Sequence, residues 1–329
     1  MKVILHAFLI LLFLANFGTN SFAGKGELKG LVFWDYYMDL TSDGPVTGSE
    51  SRISNSFLFR RIYFSYRRDL SEDFSIFWRV EAGNSTIAQF GKMTPFIKNA
   101  YLKWGGLIPG SSLYIGLTKT PVWSISEKLW GYRSIEKTIA DLHKIGSSTD
   151  IGMGLKGRVD DKGMLNYFLM IANGKGQKPE NNKYKKFYFQ ASVKPISGIV
   201  IVGYGDYETT SPDYSNFTYK AFIGYNKGKI HGGIEYLSRK NGGEPEIKMA
   251  GISAFGAYKI ADRVKIFGRA DWWDPDADKE ENEENLFITG LDFIPAKNVN
   301  VMPNIYMINY SSSAKKTDII GRLTLFYKF

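Results

Sequence analysis

The sequence predicts an all-β chain that crosses a membrane as a closed antiparallel barrel, and three observations carry that reading. The last eleven residues alternate: Ile319, Leu323, Leu325, Tyr327 and the terminal Phe329 share one parity, and Ile320, Arg322, Thr324, Phe326 and Lys328 share the other. A strand inside a soluble sheet rarely ends on a carboxylate attached to an aromatic residue, because the charge would be buried beside its own ring. At a lipid-water boundary the ring rests at headgroup level and the carboxylate stays in water, as in the aromatic girdles of membrane barrels.

The second observation is the N-terminus. Lys2 precedes an almost wholly apolar run from Val3 to Ala15, broken only by His6, and Ser21-Phe22-Ala23 offers small residues where a signal peptidase reads. Residues 1–23 are therefore expected to be a cleaved signal peptide and residues 24–329 one barrel domain. The run is shorter than the ~20 apolar residues of a spanning helix, and Asn16, Thr19 and Asn20 close it.

The third observation is composition. Aromatic residues make up 15% of the chain, with 20 Tyr, 23 Phe and 7 Trp, yet beyond the leader no segment approaches the length of an apolar helix. A barrel strand shows lipid only every second residue, so its average hydropathy stays near neutral while one face is apolar. The absence of cysteine rules out a disulfide framework and a lipid-anchored N-terminal cysteine. No Pro/Ser-rich linker divides the chain. A net charge of +9, of which Lys2 leaves with the leader, points to a lumen that attracts anions or to a solvated basic surface.

Sixteen period-two runs are expected, at residues 27–39, 57–68, 74–83, 96–104, 112–120, 149–159, 163–173, 186–194, 199–208, 217–226, 230–239, 248–260, 264–273, 285–294, 299–310 and 318–329. The even number puts both termini on one side. Short polar connections, Asp160-Asp161-Lys162, Lys227-Gly228-Lys229, Ala261-Asp262-Arg263 and Pro295-Ala296-Lys297-Asn298, suit the periplasmic end. Long connections alternate with them. The third, Pro121 to Ser148, is by far the longest and is expected to fold inward and narrow the channel, with an external lid as its alternative.

Parity then sorts the side chains. Phe74, Ile76, Trp78 and Val80, Ile151, Met153 and Leu155, Phe187 and Phe189, Phe217, Tyr219, Ile223 and Tyr225, Ile252 and Tyr258, and Ile266 and Trp272 fall outward. Their alternates include Arg79 and Glu81, Asp150, Lys156 and Arg158, Lys186 and Gln190, Lys220, His231, Glu235 and Arg239, Lys259, and Lys265, Arg269 and Asp271. An Arg or Lys on the lipid face at the midplane costs about 2 to 4 kcal/mol, so this sorting has a physical cause. In the runs containing Tyr167, Val200 and Phe287 both parities are apolar, and the pattern leaves their faces unassigned.

Several short motifs occur in order: Phe59-Arg60-Arg61-Ile62, Asn99-Ala100-Tyr101-Leu102, Gly116-Leu117-Thr118-Lys119-Thr120-Pro121, Asp150-Ile151-Gly152, Asn173-Gly174 and Arg269-Ala270-Asp271-Trp272-Trp273-Asp274-Pro275. In these the chain resembles the phosphate-selective porin O/P family. The resemblance implies a sixteen-stranded pore, usually trimeric, that passes anions by electrostatic selection. Phosphate-specific members concentrate basic residues at the constriction, whereas the third loop here sets Lys128, Arg133, Lys137 and Lys144 against Glu127, Glu136 and Asp141. A channel for small anions without strict phosphate preference is the better expectation, with a general porin for small polar solutes beside it.

The expected pore-lining, anion-binding residues are Arg61, Arg79, Lys119, Lys156, Lys220, Arg269 and Arg322, offset by Asp35, Glu81, Glu235 and Asp271. Parity points Lys119 toward lipid, so a bulge would have to turn it inward. The expected surroundings are outer-membrane lipid, lipopolysaccharide, small anions and two further copies of the chain, with Gly30, Gly268, Ala270 and Gly321 as small outward residues that let walls approach. Phe329 is the expected signal to the barrel-assembly machinery.

Other chemistries fare worse. His143 and His231 are the mature chain's histidines, and Ser147 and Ser148 near His143 make no recognisable nucleophile motif. Asp274, Asp276 and Asp278 imitate the start of an EF-hand, but Lys279 replaces the glycine and Asn285 the bidentate glutamate, so a solvated acidic loop is expected and no metal or other cofactor. Export and strand periodicity speak against nucleic acid. A plugged structural or adhesin barrel remains the rival.

Overall fold

The computed structural model describes residues 26–41, 55–86 and 91–329; the expected leader, residues 1–23, lies outside them, as does part of the first two long loops. Sixteen strands form among the described residues: β1 Gly26–Asp39, β2 Asn55–Asp69, β3 Phe74–Ala82, β4 Phe96–Gly105, β5 Ser111–Lys119, β6 Thr149–Arg158, β7 Leu165–Ala172, β8 Lys186–Val193, β9 Ile199–Thr209, β10 Ser215–Lys227, β11 Ile230–Asn241, β12 Ile247–Ala261, β13 Val264–Asp274, β14 Glu284–Ala296, β15 Val299–Tyr310 and β16 Asp318–Lys328. Each pairs antiparallel with its neighbours in sequence, and β1 pairs with β16, so the sheet closes and leaves no edge. No helix among the described residues is long and apolar enough to cross a membrane.

The alternation holds in three dimensions. Outward residues are exposed, as with Trp78, Met153, Phe187, Phe217, Ile252 and Ile266, while Ser75, Glu81, Asp150, Gln190, Lys220 and Asp271 on the opposite parity are buried. Rings band the outer wall, for example Trp34 stacked on Phe57 at 5.5 Å near the long-loop end and Phe74 on Trp104 at 5.2 Å near the other. At the short-turn end, Gly228 and Asn298 take the positive φ values (64° and 68°) that tight hairpins require. The seam is tied by the last residue: Phe329 and Gly30 exchange both main-chain hydrogen bonds, at 2.8 and 3.0 Å. The Phe329 ring lies over Gly30 so closely that a Cβ there would sit 2.2 Å from it, so Gly30 seats a ring of its own chain. It is therefore not a bare small patch for a neighbouring wall.

The register shifts at four points: two, between Lys259 and Ala261 and between Phe293 and Ala296, lie beside the short turns, and the other two are β-bulges on adjacent hairpins. Between β1 and β2, Phe33 faces Arg61 and Trp34 faces Phe59, which leaves Arg60 as the extra residue. Between β3 and β4, Arg79 faces Asn99 and Val80 faces Ile97, which leaves Lys98. A bulge puts two successive side chains on one face. Here both added side chains are cations and both enter the lumen, where Arg60 meets Asp35 at 2.6 Å and Lys98 meets Glu81 at 3.3 Å.

The third long connection, residues 120–148, folds into the barrel. Its base is closed by Thr120, whose Oγ1 donates to the Ser147 carbonyl, and it carries two short helices, α1 Ser124–Trp130 and α2 Ile139–Leu142. Gly131 ends α1 in the left-handed conformation, φ 72°, and donates its N–H to the Glu127 carbonyl. Val122, Trp130, Ile135, Ile139 and Ile145 are each at most 2% exposed. They pack on lumenal apolar residues: Phe168, Met170, Tyr188, Tyr204 and Leu237 in one cluster, Phe267, Leu286, Ile288, Met302, Tyr306 and Ile320 in another. This explains the strands that read as apolar on both faces. In β7, β9 and β14 one face meets lipid and the other meets the loop. Leu169, Ile201 and Phe287 are exposed on the outside, while Phe168, Val202 and Ile288 are buried within.

Candidate functional site

A loop without a ladder needs donors for its carbonyls, and the barrel wall supplies them as cations. Arg60 Nη1 donates to the Ile135 carbonyl at 2.7 Å, Arg269 to that of Lys137, and Arg239 to that of Ile145. Lys220 Nζ reaches Ser126 Oγ of α1 at 3.3 Å while paired with Glu235 at 3.2 Å. Arg322 lies 3.4 Å from the Ile135 carbonyl and 3.8 Å from Glu136. Tyr132 donates its hydroxyl to Asp292 at 3.2 Å. Burial alone would raise the pKa of Glu136, but Arg60 and Arg322 hold it below the ordinary carboxylate value. Gly224 on β10 lets α1 lie close: a Cβ there would stand 2.1 Å from Leu129.

With the loop seated against β7 to β16, the lumen stays open on the opposite side. A cavity of about 460 Å³ lies between the loop and β1 to β5, lined by Arg61, Arg79, Lys98, Lys119, Arg133 and Lys137, with Tyr63, Asn99, Thr149, Glu127 and Asp141. Arg133 is held between Glu127 at 3.0 Å and Asp141 at 2.9 Å, so the loop's own carboxylates are largely engaged with the loop's own arginine. Arg61 and Lys98 share Glu81, at 2.9 and 3.3 Å. Arg79 donates to Ser65 Oγ at 2.8 Å and lies over the Tyr63 and Phe77 rings at 4.7 and 5.1 Å. Arg79 makes no ion pair with Glu81, whose carboxylate is taken by Arg61 and Lys98. Among the described residues no carboxylate comes within ion-pair distance of Arg79 or Lys119.

The seven expected lumenal cations therefore separate into groups. Arg61, Arg79 and Lys119 line the cavity together. Lys156 faces the lumen outside that lining, 6.0 Å above the Phe168 ring. Lys220 and Arg269 are buried, the latter bound to Asp271 and stacked over Trp130, and Arg322 is half-buried over Tyr306. These three hold the loop and do not border the open cavity. Lys119 reaches the lumen without a bulge: β5 pairs with β6 in unbroken register through Lys119 and Thr149, and the strand ends there as the chain turns inward. Bulges bring in Arg60 and Lys98 instead, two lumenal cations that alternation alone passes over. Their signal was legible in pairs of adjacent polar residues, Arg60-Arg61 and Lys98-Asn99, in strands whose lipid face tolerates none.

The histidines stack on aromatic rings. His143 lies parallel to Trp273 at 4.2 Å and His231 to Tyr132 at 6.0 Å, while the Ser147 hydroxyl is donated to the Thr149 carbonyl. Burial holds His143 neutral, with its pKa pushed down to about 4. In the acidic loop Asp276 pairs with Lys279 at 2.8 Å and Asp278 with Lys248 at 3.5 Å, and the described residues contain no cluster able to hold a metal.

No family model matches the sequence, and no curated protein matches it. Solved structures do. The barrel is similar to OmpF of Salmonella typhi, solved in complex with daunomycin, at a TM-score of 0.68 and 12% identity, over 93% of this chain and 98% of that one. It is similar to the anion-selective porin from Comamonas acidovorans at a TM-score of 0.67 and 9% identity, over 93% of this chain and 100% of that one. The trimer form of OmpT, an outer membrane protein of Vibrio cholerae, matches at a TM-score of 0.64 and 13% identity, over 93% and 100%. The likeness is one of fold: this chain, a closed barrel of sixteen antiparallel strands with an inward third loop, folds as the outer-membrane porins do.

Proposed function

We propose that the chain is an outer-membrane porin, not an enzyme, and that it forms a water-filled channel for passive diffusion of small anions. The observation that carries the reading is the charge around the cavity: six cations line it against Glu127 and Asp141, and those two are already engaged by Arg133. A field of that sign concentrates anions, and the flanking Glu81 keeps it short of exclusion. Phosphate is one such anion, in keeping with the resemblance to the phosphate-selective O/P family. The neutralised loop favours a broad preference over a dedicated phosphate site. The short-turn end then faces the periplasm and the long loops face outward among lipopolysaccharide. Three copies assemble, as the trimer form of the Vibrio cholerae protein does. Phe329, 70% exposed as a residue, is presented for the assembly machinery.

Bilayer recordings under a KCl gradient test this. A reversal potential of anion preference is expected, declining as salt rises because screening shortens the reach of these charges to about 8 Å at physiological ionic strength. Cation preference refutes it. The buried apolar seat of the loop supports a second reading, a plugged structural barrel, and absence of any conductance selects that reading.

A further inference from the structure

We propose that the open lumen wall of β3 to β5 is a binding track for small aromatic carboxylates, an inference that rests on the anion-channel reading and names a solute class for it. The track begins at Arg79, whose guanidinium lies between the Tyr63 and Phe77 rings. Phe77 stacks on Tyr101 at 5.2 Å and 26°, and Tyr101 meets Tyr114 edge-on at 5.6 Å and 65°. Register places the rings on successive strands: Phe77 pairs with Tyr101, and Tyr114 pairs with Lys103, one step nearer the short-turn end. They share the parity of Arg79, so they face the lumen.

These rings differ from the other lumenal aromatics. Phe168, Tyr188, Tyr204, Phe267 and Tyr306 are buried beneath or against the loop, whereas Phe77, Tyr101 and Tyr114 are half-exposed and belong to no buried cluster. Apolar surface left open in a polar conduit marks a contact surface for something that covers it. Charge complementarity says what that is. Arg79 and Lys119, without carboxylate partners among the described residues, stand at the head of the track, and Lys103 and Lys156 stand at its foot. A planar ring carrying a carboxylate satisfies both features: its face stacks on Phe77 and Tyr101 at the usual ring separation, and its carboxylate accepts from the Arg79 fork. Successive rings and cations give such a solute successive shallow sites.

The test uses the full chain in planar bilayers, with benzoate as the probe and acetate and cyclohexanecarboxylate as comparisons. The reversal potential in KCl is read first. Benzoate is then expected to reduce the chloride current at concentrations where the other two acids leave it unchanged. The double substitution Phe77→Leu with Tyr101→Leu should raise the half-blocking benzoate concentration about tenfold, the loss expected when stacking partners are removed. Trp78→Leu, on the lipid face of the same strand, should keep the wild-type value. Equal effects of benzoate and acetate on the unaltered channel overturn the track without need of any variant, and so does unchanged block in the double variant. Anion preference without benzoate block sinks the track alone, whereas cation preference sinks the channel reading with it.

Discussion

The two sides of this lumen are built from the same alternation and put to opposite uses. On β7 to β16 the inward side chains meet the loop, and the cations there are spent on carbonyls and carboxylates: Lys220 on Glu235 and Ser126, Arg269 on Asp271 and Lys137, Arg322 on Glu136 and Ile135. On β2 to β5, Arg61, Arg79, Lys98 and Lys119 stand around an open cavity. A lumenal charge acts on a solute only where the loop leaves it uncovered. Counting inward arginines and lysines therefore overstates the field, because part of the count is mortar for the constriction.

Breaking the packed side should have the largest effect. Arg269→Met strands the buried Asp271 carboxylate and frees the Lys137 carbonyl, and truncating one partner of a buried pair costs about 3–5 kcal/mol. The expected outcome is a lower denaturation midpoint on a heat-modifiability gel and a noisier, larger conductance as the loop leaves its seat. The corresponding change on the open side should leave that midpoint in place.

Gly224→Val drives a side chain into Leu129 beneath α1. Overpacking of this kind costs about 1–3 kcal/mol. Protease cleavage within residues 120–148 should become faster in the variant; equal rates would mean that α1 has room the packing denies.

On the open side, Arg79→Gln with Lys119→Gln removes two cations that hold no ion pair among the described residues. Stability should move by no more than about 0.5 kcal/mol, as for surface changes. The anion-to-cation permeability ratio, read from reversal potentials, should nonetheless fall severalfold. A stability loss as large as that of Arg269→Met would erase the distinction between the two walls.

The smallest effect is acidification, and its sign follows from His143. Burial against Trp273 depresses its pKa from 6.5 to about 4, opposed by Asp271 and reinforced by Arg269. Above pH 6.5 the ring is neutral whether the loop is seated or not. As pH falls from 6.5 toward 4 the unseated loop gains a proton that the seated one does not, so the seat weakens. Glu136, held below its ordinary carboxylate value, adds to the loss only lower down, where its carboxylate protonates and Arg322 loses its partner. Current noise should rise between pH 6 and 4.5 as measured in bilayers, and His143→Phe, which keeps a ring on Trp273, should delay the rise to below 4.5.

Strand positions were legible in the sequence to within about two residues because lipid admits apolar groups on one parity only, and that constraint acts locally at every position. β12, expected at 248–260, runs Ile247–Ala261, and β16, expected at 318–329, runs Asp318–Lys328. The faces of β7, β9 and β14 were not legible, since their inner residues are apolar for a nonlocal reason, the loop packed against them. The cavity was legible in part. Arg61, Arg79 and Lys119 line one cavity, but which cations the loop would claim depends on where 29 residues fold after leaving β5, and no periodicity encodes that. Arg60 and Lys98 were hidden because a bulge looks, in a linear pattern, like an error of alternation.

Those two bulges have an evolutionary consequence. In an unbroken strand, gaining a lumenal charge requires replacing a residue that already faces inward. At Arg60 and Lys98 the charge arrives as one additional residue while the register on either side resumes. Single-codon insertions and deletions, usually ruinous within a sheet because they swap its faces, become here a graded means of adjusting the electrical character of the conduit. A lineage can step the lumenal charge up or down by one without disturbing the lipid-facing surface of the same strand.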